Sequence, residues 1–411
     1  MRTWSVAALA LAWLVPGAGQ PPTHIAVRFG HLWDGTRLLD NALVTIDGDT
    51  ITSVEAGGTT PGAIDMSRYT AIPGLIDLHT HITYYWDRTP GTRPLAQPRR
   101  RPAVTVFLAQ DNARRTLATG VTTIRDLGAS GETDYAMRDL VAMGAMAGPR
   151  MFVAGQGISA GRGWTPDPAA LAKQAEDRVK AGSDWVKVYA SRGSFDSVDT
   201  TQTLTFDELK AIVDAAHALN HKVAIHSYGA SGVRDAVRAG ADSVEHGIEI
   251  DDDTFAEMVK RGTVWVPTID HNRYYIDAKD EYGFKPESIQ PLEDYVAKNL
   301  ESAKRAVKAG VKVGMGSDAV YTMFGENTRE LEWFVKAGMT PAQALATATT
   351  TAAELLDQKN RLGRIAPGFA ADLVAIDGRP LDDIHDVIAG VRWVMKDGKV
   401  VVALHAGAEK Q

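Results

Sequence analysis

Residues 74–81 read GLIDLHTH, an apolar run closed by two histidines at i and i+2. Alternate residues of a strand face the same side, so His79 and His81 reach one point. Seven further short apolar runs follow: TTIRDLG (122–128), RMFVAGQGI (150–158), DWVKVYAS (184–191), HKVAIHSYG (221–229), DSVEHGIE (242–249), TVWVPTID (263–270) and VKVGMGSDA (311–319). Between them lie helical stretches such as LAKQAEDRVKAG (171–182), FDELKAIVDAAHALN (206–220) and LESAKRAVKAG (300–310). Several end in Ala-Gly or Asn-His, as helix C-termini do. Strands alternating with helices in this number predict an α/β fold, a (β/α)8 TIM-type barrel over 73–365. A doubly wound sheet is the alternative, but no phosphate-binding glycine loop follows the first strand.

The flanks are of another kind. HIAVRFG, ALVTIDGD and ITSVEAG within 24–72, and ADLVAIDG, GVRWVMKDG and KVVVAL within 371–404, are short strands broken by Gly or Asp. They predict one small β-sandwich domain formed from both termini, 20–72 with 366–411. Residues 1–19 carry Arg2, an apolar run from Trp4 to Val15, then Pro16 and small residues. That run is too short to span a bilayer and reads as a signal peptide, so a secreted or periplasmic protein is expected, with no membrane partner.

Composition narrows the function classes. Of 411 residues, 45% are hydrophobic and 23% charged, which excludes a disordered chain and a collagen. The net charge of −7 argues against a nucleic-acid partner. There is no cysteine, which rules out disulfide scaffolds, iron–sulfur sites and thiol nucleophiles. Any metal must be held by histidine, carboxylate or something less usual.

Barrel chemistry sits where strands run into the following loops. There the sequence places His79 and His81, Lys187, His226, His246 and Asp318. Five strands thus send metal-type ligands to one rim. His217, His221 and Asp77 read as structural, the last facing the helices or capping locally. Lys187 lies inside an apolar strand, where an ammonium is unfavourable unless paired; pairing with Asp184 is the plain alternative. Two Zn2+ ions beside Asp318 and a lysine ammonium would carry a local charge of about +4, whereas a lysine carbamate and a bridging hydroxide lower it to about +1.

The set PGLIDLHTH, WVKVYAS, AIHSYG, SVEHG and GMGSDA, with LGRIAPGFAADLVAID (362–377), resembles the amidohydrolase superfamily. Within it the chain is similar to imidazolonepropionase-related, prolidase-like metallopeptidases and to ochratoxin-degrading amidohydrolases. The resemblance implies two Zn2+ ions: His79, His81 and Asp318 on one, His226 and His246 on the other, with N6-carboxylysine at Lys187 as bridge. A zinc-activated hydroxide would attack an amide carbonyl, with Asp318 as general base and then acid. Tyr228 would be a catalytic or carboxylate-binding donor, and His271 and Arg192 further substrate contacts. The family often has Gly-Gly-His-Gly after strand 3; here the segment is Gly161-Arg162-Gly163-Trp164.

The implied reaction is hydrolysis of the amide to a C-terminal amino acid, in a dipeptide or an N-acyl amino acid such as ochratoxin A, giving ochratoxin alpha and phenylalanine. A lactonase, or a cyclic-imide hydrolase or deaminase of the same superfamily, is the alternative; mononuclear deaminases lack the lysine. Two loops, 83–102 and 271–291, are long enough to be functional. Their Tyr84, Tyr85, Trp86, Tyr274 and Tyr275 would line a flat apolar pocket, while Arg99, Arg100 and Arg101 read as a solvated run or subunit contact. A homo-oligomer is expected by analogy with related barrels.

Overall fold

Alternating burial along the first flank builds its strands, in which Val27, Phe29 and Leu32 turn inward while the residues between them stay partly exposed. The computed structural model describes residues 24–161, 167–194 and 197–403. Residues 1–19, most of the 161–164 segment and the last eight residues lie outside these.

The first flank forms β1 (His24–Trp33), β2 (Leu38–Asp47), β3 (Thr50–Ala56) and β4 (Ile64–Pro73). The middle supplies β5 (Leu75–Thr80), β6 (Val121–Asp126), β7 (Arg150–Val153) and β8 (Ile158–Ser159). It continues with β9 (Trp185–Tyr189), β10 (Lys222–His226), β11 (Ser243–Glu245) and β12 (Val264–Val266). The second flank gives β13 (Leu373–Ile376), β14 (Val391–Lys396) and β15 (Lys399–Val402).

Both flanks join in one seven-stranded sheet, in the order β15-β14-β13-β4-β1-β2-β3. The sheet folds over on itself: Phe29 of β1 meets Trp393 of β14, with β4 and β13 between them in the strand order, at 6.4 Å between ring centroids. The link between the flanks is β4, which sequence patterning did not single out. It pairs parallel with β1 on one edge and antiparallel with β13 on the other, joining the flanks edge to edge. The sheet has its own apolar core, including Phe29, Leu32, Ile46, Trp393 and Met395.

The middle strands are parallel and nearly wholly buried, as strands covered on both faces must be. They fall into a three-stranded sheet, β5-β6-β7, and a five-stranded sheet, β12-β11-β10-β9-β8. The run 150–158, read as one strand, divides at Gly155, which has φ +65°. Residues 311–319 form no regular strand but lie between β12 and β5. Gly314 N–H donates to the Trp265 carbonyl (2.9 Å) and Leu78 N–H to the Met315 carbonyl (2.8 Å). Only a glycine fits this passage at 316, where a Cβ would stand 2.4 Å from Val266 and 2.8 Å from His79.

Helices alternate with these strands; Phe206–Ala218, for example, starts in a Thr205–Glu208 capping box. The stretch 271–291, expected as a loop, is largely helical: Ile269–Asp277, Lys279–Tyr282 and the start of Pro286–Ala309. Tyr274, Tyr275 and Tyr282 are its buried face. No helix among the described residues is long and apolar enough to cross a membrane.

Candidate metal centre

His79 and His81 leave the end of β5, Lys187 sits within β9, His226 ends β10 and His246 follows β11. All are buried, as is Asp318. The fold brings them together: one ligand atom each from His79, His246 and Asp318 lie within 4.8 Å of one another. Asp318 Oδ1 is 3.2 Å from His81 Nε2 and 3.5 Å from His79 Nε2, and Lys187 Nζ is 3.4 Å from His79 Nε2. The His226 and His246 rings are 4.5 Å apart. Lys187 does not pair with Asp184, which serves Arg138 and the Val153 N–H instead. His246 (φ +65°), Thr268 (φ +50°) and Asp318 (φ +51°) are all left-handed. Such strain persists where surrounding structure enforces it, commonly at functional sites.

The outer hydrogen bonds fix which nitrogens face inward. His79 Nδ1 donates to Glu245 Oε2 (2.9 Å), His81 Nδ1 to the Gly128 carbonyl (2.9 Å) and His226 Nε2 to the Gly193 carbonyl (2.8 Å). These partners only accept, so the opposite nitrogen of each neutral ring carries a lone pair. His246 Nδ1 lies 2.6 Å from Thr268 Oγ1, which can accept from it. With both rings neutral, the inner nitrogens of His79 and His81 present lone pairs to the buried carboxylate Asp318, whose Oδ1 then has no donor among the described residues. Acceptors facing acceptors repel unless a cation lies between them, and imidazole and carboxylate donors with orienting outer partners suit a divalent metal such as zinc.

Electrostatics agree at His79 and Lys187. Burial, then Lys187, pushes His79 down to about 4, so its ring is neutral at pH 7. Burial likewise pushes the Lys187 ammonium down to about 8, despite Glu245 and Asp318 nearby. Burial works to raise Glu245, but Arg125 and His79 outweigh it and hold the carboxyl at about 2. Against burial, His271, His79 and His81 hold Asp318 well below the usual carboxylate range, and, again against burial, Asp318 in turn raises His81, so without a cation a proton shared with His81 takes the place a metal would hold.

His271, expected as a substrate contact, serves Asp318 instead. Its Nδ1 donates to the Asp318 carbonyl (2.9 Å) and its Nε2 lies 3.4 Å from Asp318 Oδ2. Tyr228 is buried and stacks on His246, with centroids 5.0 Å apart at 14°. Burial, then Asp318, raises its phenol, so it stays protonated. Arg192 stands exposed, its charge bearing on Asp199. His217 and His221 are hydrogen-bonded, to Asp242 and the Leu219 carbonyl, near the surface rather than in the core. Asp77 caps locally, accepting from the His79 N–H (3.2 Å); fully buried, it also accepts from the Ser317 N–H, Ser317 Oγ and Asn327 Nδ2, at the start of the helical turn Asn327–Arg329. It thereby ties β5 to the segment bearing Asp318.

Sequence reasoning missed the outer partners. Glu245 precedes His246 in the quoted SVEHG, and period-2 alternation alone would have turned it to the opposite face from the ligand. Arg125 in TTIRDLG donates to Glu245 Oε1 (2.9 Å) and lies over the Trp185 ring at 4.4 Å. Of the aromatic loop residues, Tyr84 stacks on His81 (5.0 Å) and Tyr275 meets His271 edge-on (4.7 Å).

A cavity of about 660 Å³ borders the centre, walled by Tyr84, Tyr321, Arg99, Arg100, Ser130 and Gln156 among others. A second, of about 680 Å³, lies beside Lys222, Asp242, Val264 and Lys312, at the strand starts. In barrel-type folds that end carries stability, not chemistry.

The chain is 28% identical over 372 residues to the ochratoxinase of Aspergillus niger, covering 80% of this chain and 75% of that protein. It is 24% identical over 398 residues to the imidazolonepropionase of Streptomyces griseus, covering 86% and 92%. The crystal structure of a Xaa-Pro dipeptidase with methionine in its active site superposes with a TM-score of 0.83 at 30% identity, covering 92% of this chain and 99% of that one. Residues 70–401 match the amidohydrolase family as a whole, and with the centre just described the chain belongs to that family.

Proposed function

We propose that this chain is a binuclear zinc amidohydrolase that cleaves the amide bond to a C-terminal amino acid. The carrying observation is the ring of buried histidines whose outer nitrogens donate to fixed acceptors, leaving lone pairs around ionised Asp318. His79, His81 and Asp318 would hold one ion, and His226 and His246 the other. The barrel over 73–365 is taken as closed, with a small β domain from 20–72 and 366–411.

Lys187 would be the bridge, as a carbamate. Its neutral amine adds to carbon dioxide: the N–C bond forms, one C–O π bond opens to an oxyanion, and a proton leaves. Burial favours this by favouring the free amine. When bound, zinc polarises a carbonyl oxygen and brings the pKa of water towards 7. Asp318 Oδ2 would take a proton from the attacking water and return it to the leaving nitrogen, with His271 Nδ1 holding the Asp318 backbone in place. Tyr228, kept protonated, would donate to the oxygen that gains charge. Glu245 and Arg125 hold the His79 tautomer.

The names of the relatives support an amide next to an amino acid: an ochratoxinase and a Xaa-Pro dipeptidase. A small-molecule amide or peptide would be the partner, a homo-oligomer the working state, and the exterior or periplasm the location. The test is zinc-loaded protein incubated with dipeptides, N-acyl amino acids, ochratoxin A, lactones and hydantoins, with products identified by mass spectrometry. A released free amino acid is expected. Ring opening of lactones with every amide intact would overturn the proposal.

A further inference from the structure

We propose that the cavity beside the centre is a carboxylate-reading substrate pocket, and that Arg99 is the residue that reads the charge. The inference rests on the amidohydrolase reading above. Position is the first argument. The cavity is walled by the stretches that follow β5, β6 and β7, represented by Tyr84, Ser130 and Gln156. Those are the ends of strands at which the metal-type ligands gather. Tyr84 belongs to both places, since it lines the cavity and stacks on His81 at 5.0 Å. Ser130 follows two residues after Gly128, whose carbonyl fixes His81. A volume of about 660 Å³ is in the range of small-molecule sites.

Charge is the second argument. The lining contains two arginines and no aspartate or glutamate. Arg100 is already engaged, with Asp87 at 2.5 Å and Gln97 at 2.6 Å. Among the described residues no carboxylate pairs with the exposed Arg99. One uncompensated guanidinium in a walled cavity selects an anion, and its fork matches a carboxylate. The other groups considered for this task are otherwise placed: His271 serves Asp318, Tyr228 is packed against His246, and Arg192 bears on Asp199. The run 99–101, read from sequence as solvated or a subunit contact, thus acquires a role at its first residue.

The carboxylate could belong to the departing amino acid or to the acyl half, and three substrates separate these. N-benzoyl-phenylalanine carries it on the amine side, N-succinyl-phenylalaninamide on the acyl side, and N-benzoyl-phenylalaninamide on neither. The readout is the ratio of kcat/KM for each acid to that for the uncharged amide. Arg99→Ala should lower one of the two ratios by about 10–150-fold, the size of a hydrogen bond to a charged group, and Arg99→Lys should restore part of it. Unchanged ratios for both acids would overturn the proposal.

Binding is read separately, so that failure of the amidohydrolase reading remains distinguishable. Calorimetry with 3-phenylpropanoate and 3-phenylpropanamide needs no turnover. Wild type should prefer the carboxylate and Arg99→Ala should lose the preference; an equal preference in both proteins would overturn the pocket. If no amide is hydrolysed while this preference holds, the hydrolase reading fails and the anion pocket stands.

Discussion

Glu245→Gln is the most instructive single change, because it alters no inward-facing group. Glu245 Oε2 accepts from His79 Nδ1 (2.9 Å), and Oε1 from Arg125 Nη2 (2.9 Å) and Ser243 Oγ (2.5 Å). Glutamine keeps the shape and removes the charge. Two separate losses follow. Arg125, fully buried, keeps its charge and loses its counter-ion; breaking one side of a buried pair costs about 3–5 kcal/mol. With an unfolding entropy of roughly 2.1 cal/mol/K per residue, that lowers the Tm of the metal-free protein by about 4–6 °C. The second loss is at His79. An amide N–H facing Nδ1 favours the tautomer with its proton on Nε2, which is the nitrogen that should hold metal. Changes at such orienting partners weaken metal binding by about 10–100-fold. Melting of apo and zinc-loaded protein, together with a zinc titration against a chromogenic chelator, reads both losses. A zinc affinity within about twofold of wild type would refute the orienting role of Glu245, and an unchanged apo Tm would refute the buried-pair argument.

Lys187→Ala should lower both bound metal and turnover, and a short carboxylic acid should partly restore turnover by filling the vacated place; full activity and metal content in the variant would show a structural lysine. Asp318→Asn should lower kcat by at least about 10²–10⁴-fold, the usual contribution of a positioned base, and a loss under tenfold with zinc retained would refute that role. Burial raises Asp77 from 3.8 to about 6 in the fold, so its protonated form is the stabilised one. The stabilisation is complete below pH 3.8 and is lost as pH rises through 6. In metal-free protein the stability of wild type relative to Asp77→Asn should therefore fall by about 2 kcal/mol between pH 4 and 7; a difference that ignores pH would refute the burial argument.

The residues of the candidate centre were legible because they are punctuated by period: His79 and His81 at i and i+2 of a strand, and one ionisable residue in each of several otherwise apolar runs. A buried ionisable residue in an apolar run is expensive, so its presence signals a reason. What orients those residues was not legible. Glu245 and Arg125 meet across β11 and β6, a contact between segments 120 residues apart. Only the closure of the fold makes that pair. The same holds for His271, whose attachment to Asp318 depends on the turn at Thr268 and on Glu330 accepting from the Ile269 and Asp270 N–H groups. The strand that joins the two flanks was missed for a different reason. IDMSRYTAIP lacks strict alternation, and β4 is stabilised by having a partner on both edges rather than by its own pattern. The helices over 271–291 were hidden by polar residues and by two prolines, Pro286 at the first position of Pro286–Ala309 and Pro291 inside it.

The central claim is a two-metal centre that performs amide hydrolysis. Its most direct test is elemental analysis of the purified chain, followed by chelation and stepwise return of Zn2+ while hydrolysis of an N-acyl amino acid is recorded. The account predicts about two equivalents of metal per chain, loss of turnover on chelation, and recovery that is complete only as the second equivalent is added. Undiminished amide hydrolysis by rigorously metal-free protein would contradict it.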